Sequence, residues 1–460
     1  MSTSSAPRLM RRRTLLTLPP LLAVLAACGC GVFDRWGRAP DDPTTALTSD
    51  AEPRVLALSD APYVGAAVTA CDGLGAAMLS HVLDEDRDRN AVVCPAGTGL
   101  VLAMLYAGAT ELPDGLDRLL GFEATASYPS GLPAERDTAW SALRQSMQRL
   151  DVDDASALEG FDPDELPERP LLHVANRALL VRPEKPDGIG EVYQEYLDDA
   201  RTWYAAEVTE ADAADAKDSL DTWARLHTGG LVPTSAMSVN ERTRLVLQNA
   251  VLLAARWRHP FDAGSTWEDG TFHRADGTTS TVPLMHQTEQ FPLVSGKGWR
   301  ALRMLYASTG GDLVMDLILP DDVVHPAQLP PGTWAEASAR LESSSDGTEV
   351  RLGLPRLDLA SGEIDLLDVL GDLGTELGNV PHVGYLVRVG QAAQQVRLRV
   401  DEDGTVGAAL TEVEVETVAV PIAPAPPPEF ICDHPFVLRV VDRASGVCVI
   451  EAAVVDPAAG

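Results

Sequence analysis

Between Val400 and Val420 the sequence alternates too strictly to fit more than a few kinds of surroundings. Positions 405, 407, 409, 411, 413 and 415 are Thr, Gly, Ala, Thr, Val and Val, whereas 412, 414 and 416 are all Glu. Such a period of two belongs to a strand with one buried and one wet face. The stretch nevertheless starts at Gly404-Thr405 and runs into Pro421-Ile422-Ala423-Pro424-Ala425-Pro426-Pro427-Pro428. Prolines cannot donate to a ladder, so that continuation is an extended, exposed loop. Two readings stay open on these residues: an edge strand, or a loop built to become a strand.

The rest of the composition narrows the setting. With 460 residues, 45% hydrophobic, the chain can bury one large core or two ordinary ones. Its net charge is −32 and lysine occurs only at Lys185, Lys217 and Lys297. A chain this acidic repels nucleic acid, anionic membranes and heparin-like polyanions. Residues 1–28 read as a targeting segment: Arg11-Arg12-Arg13, an apolar run from Thr14 to Ala27, then Leu25-Ala26-Ala27-Cys28. The run is too short for a membrane helix and contains Pro19-Pro20. Its end resembles a bacterial lipoprotein signal, which makes Cys28 the lipidated first residue of an extracytoplasmic, cell-surface protein held to the plasma membrane by that anchor alone. An ordinary cleaved signal is the alternative, and Arg12-Arg13 also resembles a twin-arginine export motif. Residues 29–62, rich in Pro, Asp, Thr and Ala without periodicity, read as a disordered tether, and 63–460 as one domain.

Within that domain, helical spacing runs from Tyr63 to Leu83, and a short strand covers Asn90 to Val93. Further helices are expected over Gly99–Ala109, Thr138–Leu150, Glu191–Tyr204 and Asp212–His227, the last ended by Gly229-Gly230. Leu171–Val181 reads as a strand and Leu245–Leu253, apolar apart from Gln248 and Asn249, as a strand buried on both faces. After Trp257 the pattern is mostly β, closing in a hairpin over Phe436–Val441 and Val447–Val455. Helices first and mostly antiparallel strands later describe an α+β domain.

No catalytic apparatus is legible: there is no Gly-x-Ser-x-Gly elbow, His-Glu-x-x-His pair or phosphate-binding Gly-Lys-Ser/Thr loop. His259, His286 and His434 read as structural, and the acidic run from Asp153 to Glu168 lacks the ligand ladder of a calcium loop. No cofactor or metal is expected. Trp140, Trp203, Trp223, Trp257, Trp267, Trp299 and Trp334 are dispersed and suggest no stacking platform. After Cys28, the cysteines Cys30, Cys71, Cys94, Cys432 and Cys448 are odd in number, leaving at least one unpaired thiol, and buried free thiols are the simplest reading.

In order, several segments resemble the serpin family: Asn90-Ala91-Val92-Val93-Cys94-Pro95 with Leu102–Ala109; Val174–Val181; Trp223 with Thr228-Gly229-Gly230; Leu245–Asn249; Trp257-Arg258-His259-Pro260-Phe261; and Phe430–Leu438. The likeness covers Tyr63 to Pro457. It implies a serpin fold with a large, mostly antiparallel central sheet, about eight to nine helices and an exposed reactive loop. It also implies an activity: a monomeric, metastable inhibitor, not an enzyme, whose loop a serine protease cuts before the loop enters the sheet with the acyl-enzyme attached.

Counting from Gly404 by the family's pattern, the reactive bond is Val418–Ala419, with Thr417 and Val420 as one-residue slips. The residues that enter the sheet interior are then Thr405, Gly407, Ala409, Thr411, Val413 and Val415, with Gly404 and Ala408 in the hinge. In this phase all three glutamates stay in water, which the opposite phase forbids because an unpaired buried Glu costs several kcal/mol. A small aliphatic residue at the bond implies an elastase-like or subtilisin-like partner. The resemblance assigns Cys94, Gly97, Asn249, Gln394 and Trp257 to the region where the sheet opens, with Gln394, in place of a common His, positioned to hydrogen-bond Asn249. Leu410 is bulkier than usual for the hinge, and the Pro-rich part is longer. The alternative is a non-inhibitory, serpin-fold surface binding protein.

Overall fold

In the computed structural model the described residues are 42–459, apart from 48, 124–132, 183–190, 241–242, 309–312, 331, 345–346 and 407–425. Among them are eight α-helices: α1 Val64–Glu85, α2 Pro95–Leu105, α3 Leu116–Leu119, α4 Pro133–Gln148, α5 Gln194–Tyr204, α6 Ala216–His227, α7 Thr333–Ser343 and α8 Leu366–Asp372. Strands are numbered along the chain. Of two nine-stranded sheets among the described residues, the first runs β1 (Thr45–Ala46), β4 (Glu207–Asp212), β3 (Leu171–Arg182), β5 (Leu245–Arg256), β15 (Gly404–Thr405), β14 (Arg397–Val400) and β11 (Leu357–Ala360). Off that path, β13 (Gln391–Gln394) pairs with both β5 and β12 (Ile364–Asp365).

The second sheet runs β16 (Glu429–Ile431), β10 (Gly347–Pro355), β7 (Thr279–Gly296), β8 (Trp299–Leu305) and β9 (Leu313–Pro320). It continues through β17 (Phe436–Asp442), β18 (Val447–Val454) and β2 (Ala91–Val93), with β6 (Trp267–His273) on β7. Helix α2 is buried at every position, as its unbroken apolar sequence demands, and joins β18, β3 and β5 in one core. By length and composition α1 could cross a membrane, yet its Cys71, Leu74, Met78, Leu79 and Leu83 are packed in the protein interior.

The expected strands and hairpin are present, and β3 and β5 pair along ten consecutive positions, from Leu171↔Ala254 to Leu180↔Leu245. Two expectations change. Asp212 belongs to β4 rather than to a helix, because parallel pairing with β3 carries the chain through Asp212 before α6 starts at Ala216. The residues read as the end of a disordered tether, from 42 onward, lie on the body. β1 extends the sheet beyond β4, Arg54 stacks on Trp203, and the buried Asp42 pairs with Arg177 at 2.7 Å. A two-residue strand and one charge pair leave no periodicity to read.

Candidate functional site: a strand-wide slot in the large sheet

Beyond β3, the other edge of β5 is used unevenly. Near its start Val246 and Leu247 pair in parallel with Gln391 and Ala392. At its far end Ala255 and Arg256 pair antiparallel with Thr405 and Gly404. Among the described residues, no strand pairs with 248–254 on that edge. β15 bonds to β5 on one side and to β14, through Val400↔Thr405, on the other. β5 and the run formed by β13 and β14 are therefore held one strand apart at this end and brought together at the other. The result is a wedge with its mouth at Thr405.

The mouth is built residue by residue. A Cβ on Gly404 would lie 2.2 Å from the Ala255 carbonyl oxygen, so only glycine allows this approach. Thr405 is fully buried, its Oγ1 2.6 Å from the Tyr306 hydroxyl, and Tyr306 stacks on Trp257 with centroids 4.6 Å apart. Burial pushes the Tyr306 phenol up, only partly opposed by the Thr405 bond. Trp257 fixes the preceding turn: its backbone N–H donates to the Asp403 carbonyl and its Nε1–H to the Asp401 carbonyl. Glu402 accepts from the Arg356 guanidinium and from Thr266 Oγ1. Burial favours its neutral form, but those donors outweigh burial and hold the carboxyl below its usual range.

Val406 departs from expectation. Sequence phase puts it on the wet face, whereas it is 1% exposed and packs with Leu158, Leu166, Leu226, Leu252 and Ala254. The segment between α4 and β3 covers that face here. Its φ is +69°, a left-handed conformation that strains a β-branched residue, and its N–H donates to the Arg399 carbonyl at 2.9 Å.

The narrow end is closed by side chains. The Gln394 amide bridges Cys94, accepting from its N–H at 2.7 Å and donating to its carbonyl at 2.9 Å, and also donates to Thr98 Oγ1. The expected Gln394–Asn249 bond is replaced: Asn249 Nδ2 donates to Asn176 Oδ1 at 3.0 Å, across the β3–β5 pair. A Cβ on Gly97 would lie 2.1 Å from Asn249 Oδ1, so Gly97 makes room for that amide. The Cys94 Sγ accepts from the Gly97 N–H, while burial pushes its thiol up to about 12. Thus Cys94, Gly97, Asn249 and Gln394 lie together at this end, and Trp257 lies at the opposite one. All four described cysteines, Cys71, Cys94, Cys432 and Cys448, are free and buried.

Helix α6 lies over the slot. Under it Arg177, from β3, donates to Gln248 on β5, to Ser219 on α6 and to Asp42. A cavity of about 30 Å³ remains between Trp223, Gln248, Asn249 and Ala393. His173 on β3 bonds Asp151 and His227 of α6, at 2.7 and 2.9 Å. Sequence reading missed Tyr306, Arg177, Asp42 and Arg356, because their partners are 99, 42 or more, 135 and 46 positions away. An arginine inside the apolar run Leu171–Val181 was the one available signal.

A family model described as serpin (serine protease inhibitor) matches residues 69–457. The chain belongs to the serpin family. An uncharacterized serpin-like protein of Thermococcus kodakarensis is 26% identical over 81% of this chain and 82% of its own. The leukocyte elastase inhibitor of Bos taurus is 29% identical over 55% of this chain and 70% of its own. Among solved structures, the thermophilic serpin tengpin in its native state superposes with a TM-score of 0.69 at 18% identity, covering 90% of this chain and 99% of tengpin. Thyroxine-binding globulin in complex with thyroxine superposes at 0.66 and 20% identity, covering 86% and 100%. At these identities the two structures establish the serpin fold, which is α+β as expected. Cys28, Gly407, Ala408, Ala409, Thr411, Val413, Val415, Thr417, Val418, Ala419 and Val420 lie outside the described residues.

Proposed function

We propose that this serpin is exported, anchored through Cys28, and inhibits serine proteases of small-aliphatic specificity by trapping them on its own loop. The protease's serine oxygen attacks the Val418 carbonyl carbon, and an ester forms as the bond to the Ala419 nitrogen breaks, the serine proton passing to that leaving amine. The freed end of 405–418 then enters the slot along the unpaired edge 248–254 of β5, carrying the esterified protease. Catalysis belongs to the partner; the inhibitor's residues supply the bait and the destination. The supporting observation is β15, already paired with both walls at the mouth of the slot. A relative named for inhibiting leukocyte elastase supports a partner with a shallow specificity pocket.

Incubation with elastase-like and subtilisin-like enzymes tests this. The expected result is an SDS-stable covalent complex, release of a peptide beginning at Ala419, and a marked rise in thermal stability of the cut chain. Cleavage with full turnover and no complex would overturn inhibition. It would favour the second reading, a surface binding protein. The left-handed, sealed Val406 supports that reading, because it resists entry of the next residues.

A further inference from the structure

Trp267 is the first residue of β6 and stands 52% exposed on the second sheet. Single exposed apolar side chains are ordinary; what distinguishes this one is its mounting and its position. Its ring packs on His286, itself only 9% exposed, with centroids 4.0 Å apart. The Arg351 guanidinium, on β10 beyond β7, lies 5.7 Å from the ring. Cross-strand register places these side chains in one stripe: Trp267 opposite Leu284 on β7, His286 opposite Gly353, and Arg351 opposite Glu429. The ring is thus held before any partner arrives, and little conformational freedom remains to be lost on contact.

The position is set by bonds to residues that flank 407–425. On one side Thr266, next to Trp267 in sequence, donates to Glu402 at 2.6 Å, and Glu268 pairs with the Arg356 that grips Glu402. On the other, Arg351 pairs at 2.7 Å with Glu429, where the chain joins the second sheet. Trp267 therefore stands between bonds to Glu402 and to Glu429, the described residues on either side of 407–425. A protease bound to 407–425 would be tethered on both sides to residues bonded beside this ring.

From this we infer that Trp267 is a docking contact for the protease itself, separate from the residues that fill its cleft. It fits an apolar depression on the enzyme face beside that cleft. The inference rests on the proposed function for the identity of the partner. Tryptophan on a rigid mount is the side chain that most often carries binding energy disproportionate to its area.

The experiment compares wild type, Trp267→Ala and Trp267→Phe with an elastase-like and a subtilisin-like protease. It reads the second-order rate of attack on the loop, whether attack ends in a complex or in cleavage. A synthetic peptide spanning 405–425 serves as the cleft-only reference. We expect Trp267→Ala to slow attack about 10- to 30-fold toward the peptide's rate, the size of a hot-spot truncation, with Trp267→Phe retaining most of it. The thermal midpoint and the ratio of complex to cleaved product should stay unchanged, whereas a merely structural role would shift them. Attack on Trp267→Ala within twofold of wild type overturns the inference even if wild type traps its protease. So does a change in sedimentation of Trp267→Ala, which would make the contact one between two copies of this chain. Loss of trapping in wild type with a Trp267-dependent cutting rate overturns the inhibitory reading and leaves the docking contact supported.

Discussion

Thr405→Arg places a guanidinium where the native side chain is completely buried against Tyr306. Two responses compete. If the arginine stays, an unpaired buried charge costs several kcal/mol after relaxation, and the longer side chain must displace the Tyr306–Trp257 stack. If 404–406 leaves the slot, the chain loses the Thr405–Tyr306 bond, the Val406 N–H bond to Arg399 and the short ladders of β15. These are worth about 1 kcal/mol each net of water, and exposing Val406 adds about 1.5–2 kcal/mol. Release of the left-handed valine returns about 1–2 kcal/mol. Expulsion therefore stays near 4 kcal/mol and wins. Urea unfolding should show a loss of about that size. Trp257 emission should shift as Tyr306 loses its partner, and SDS-stable complexes should disappear while Thr405→Ser keeps them. Stability within about 1 kcal/mol of wild type with unchanged emission would refute the claim that Thr405 is seated in the slot.

Asp42→Ala leaves the buried Arg177 without this counter-charge and should destabilise the chain by about 3–5 kcal/mol, measured as a lowered urea midpoint; replacing both with apolar residues should recover most of the loss. Gly97→Ala should force Asn249 off Asn176, costing about 1–3 kcal/mol as an overpacked site, with equilibrium unfolding as the check. Burial first, then His173 and Arg177, holds the His227 pKa well below its usual value. The unfolded chain therefore binds this proton more readily, so stability is full above pH about 6.5 and falls as the medium is acidified below it. In His227→Phe the difference between urea midpoints at pH 7.5 and 5.5 should shrink. A thiol reagent should leave Cys71, Cys94, Cys432 and Cys448 unlabelled in the native chain and label all four in denaturant, because burial pushes each thiol up.

Local pattern carried much of this fold. The apolar run at Leu245–Leu253, the glycines after His227 and the Phe436–Val455 hairpin signal their elements within a few residues, and the structure places them so. Gly97 and Gly404 were placed by the family resemblance, but what each makes room for, the Asn249 amide and the Ala255 carbonyl, was not legible. Long-range polar pairs were not. Nothing near Gln394 indicates that it grips Cys94, 300 positions away, rather than Asn249. Nor does the alternation around Val406 reveal that Leu158 and Leu166 arrive from another part of the chain to cover its outer face. A period of two tells which residues share a face, but what lies over that face is decided by tertiary packing.

The seating of Gly404 and Thr405 bears on how quickly a strand can grow in the slot. Ribbon assembly is limited by its first rung, when chain freedom is surrendered before neighbouring bonds exist to reward it. Here that rung is laid in the intact chain, so under the proposed function a released 406–418 end would elongate from a seed rather than search for one. Its pace would then be set by two local steps: turning Val406 out of its left-handed well, and lifting α6 clear of the Arg177 network. The molecule resembles a zip fastener with its slider parked one tooth in, where the stiffness of the second tooth governs the whole closure.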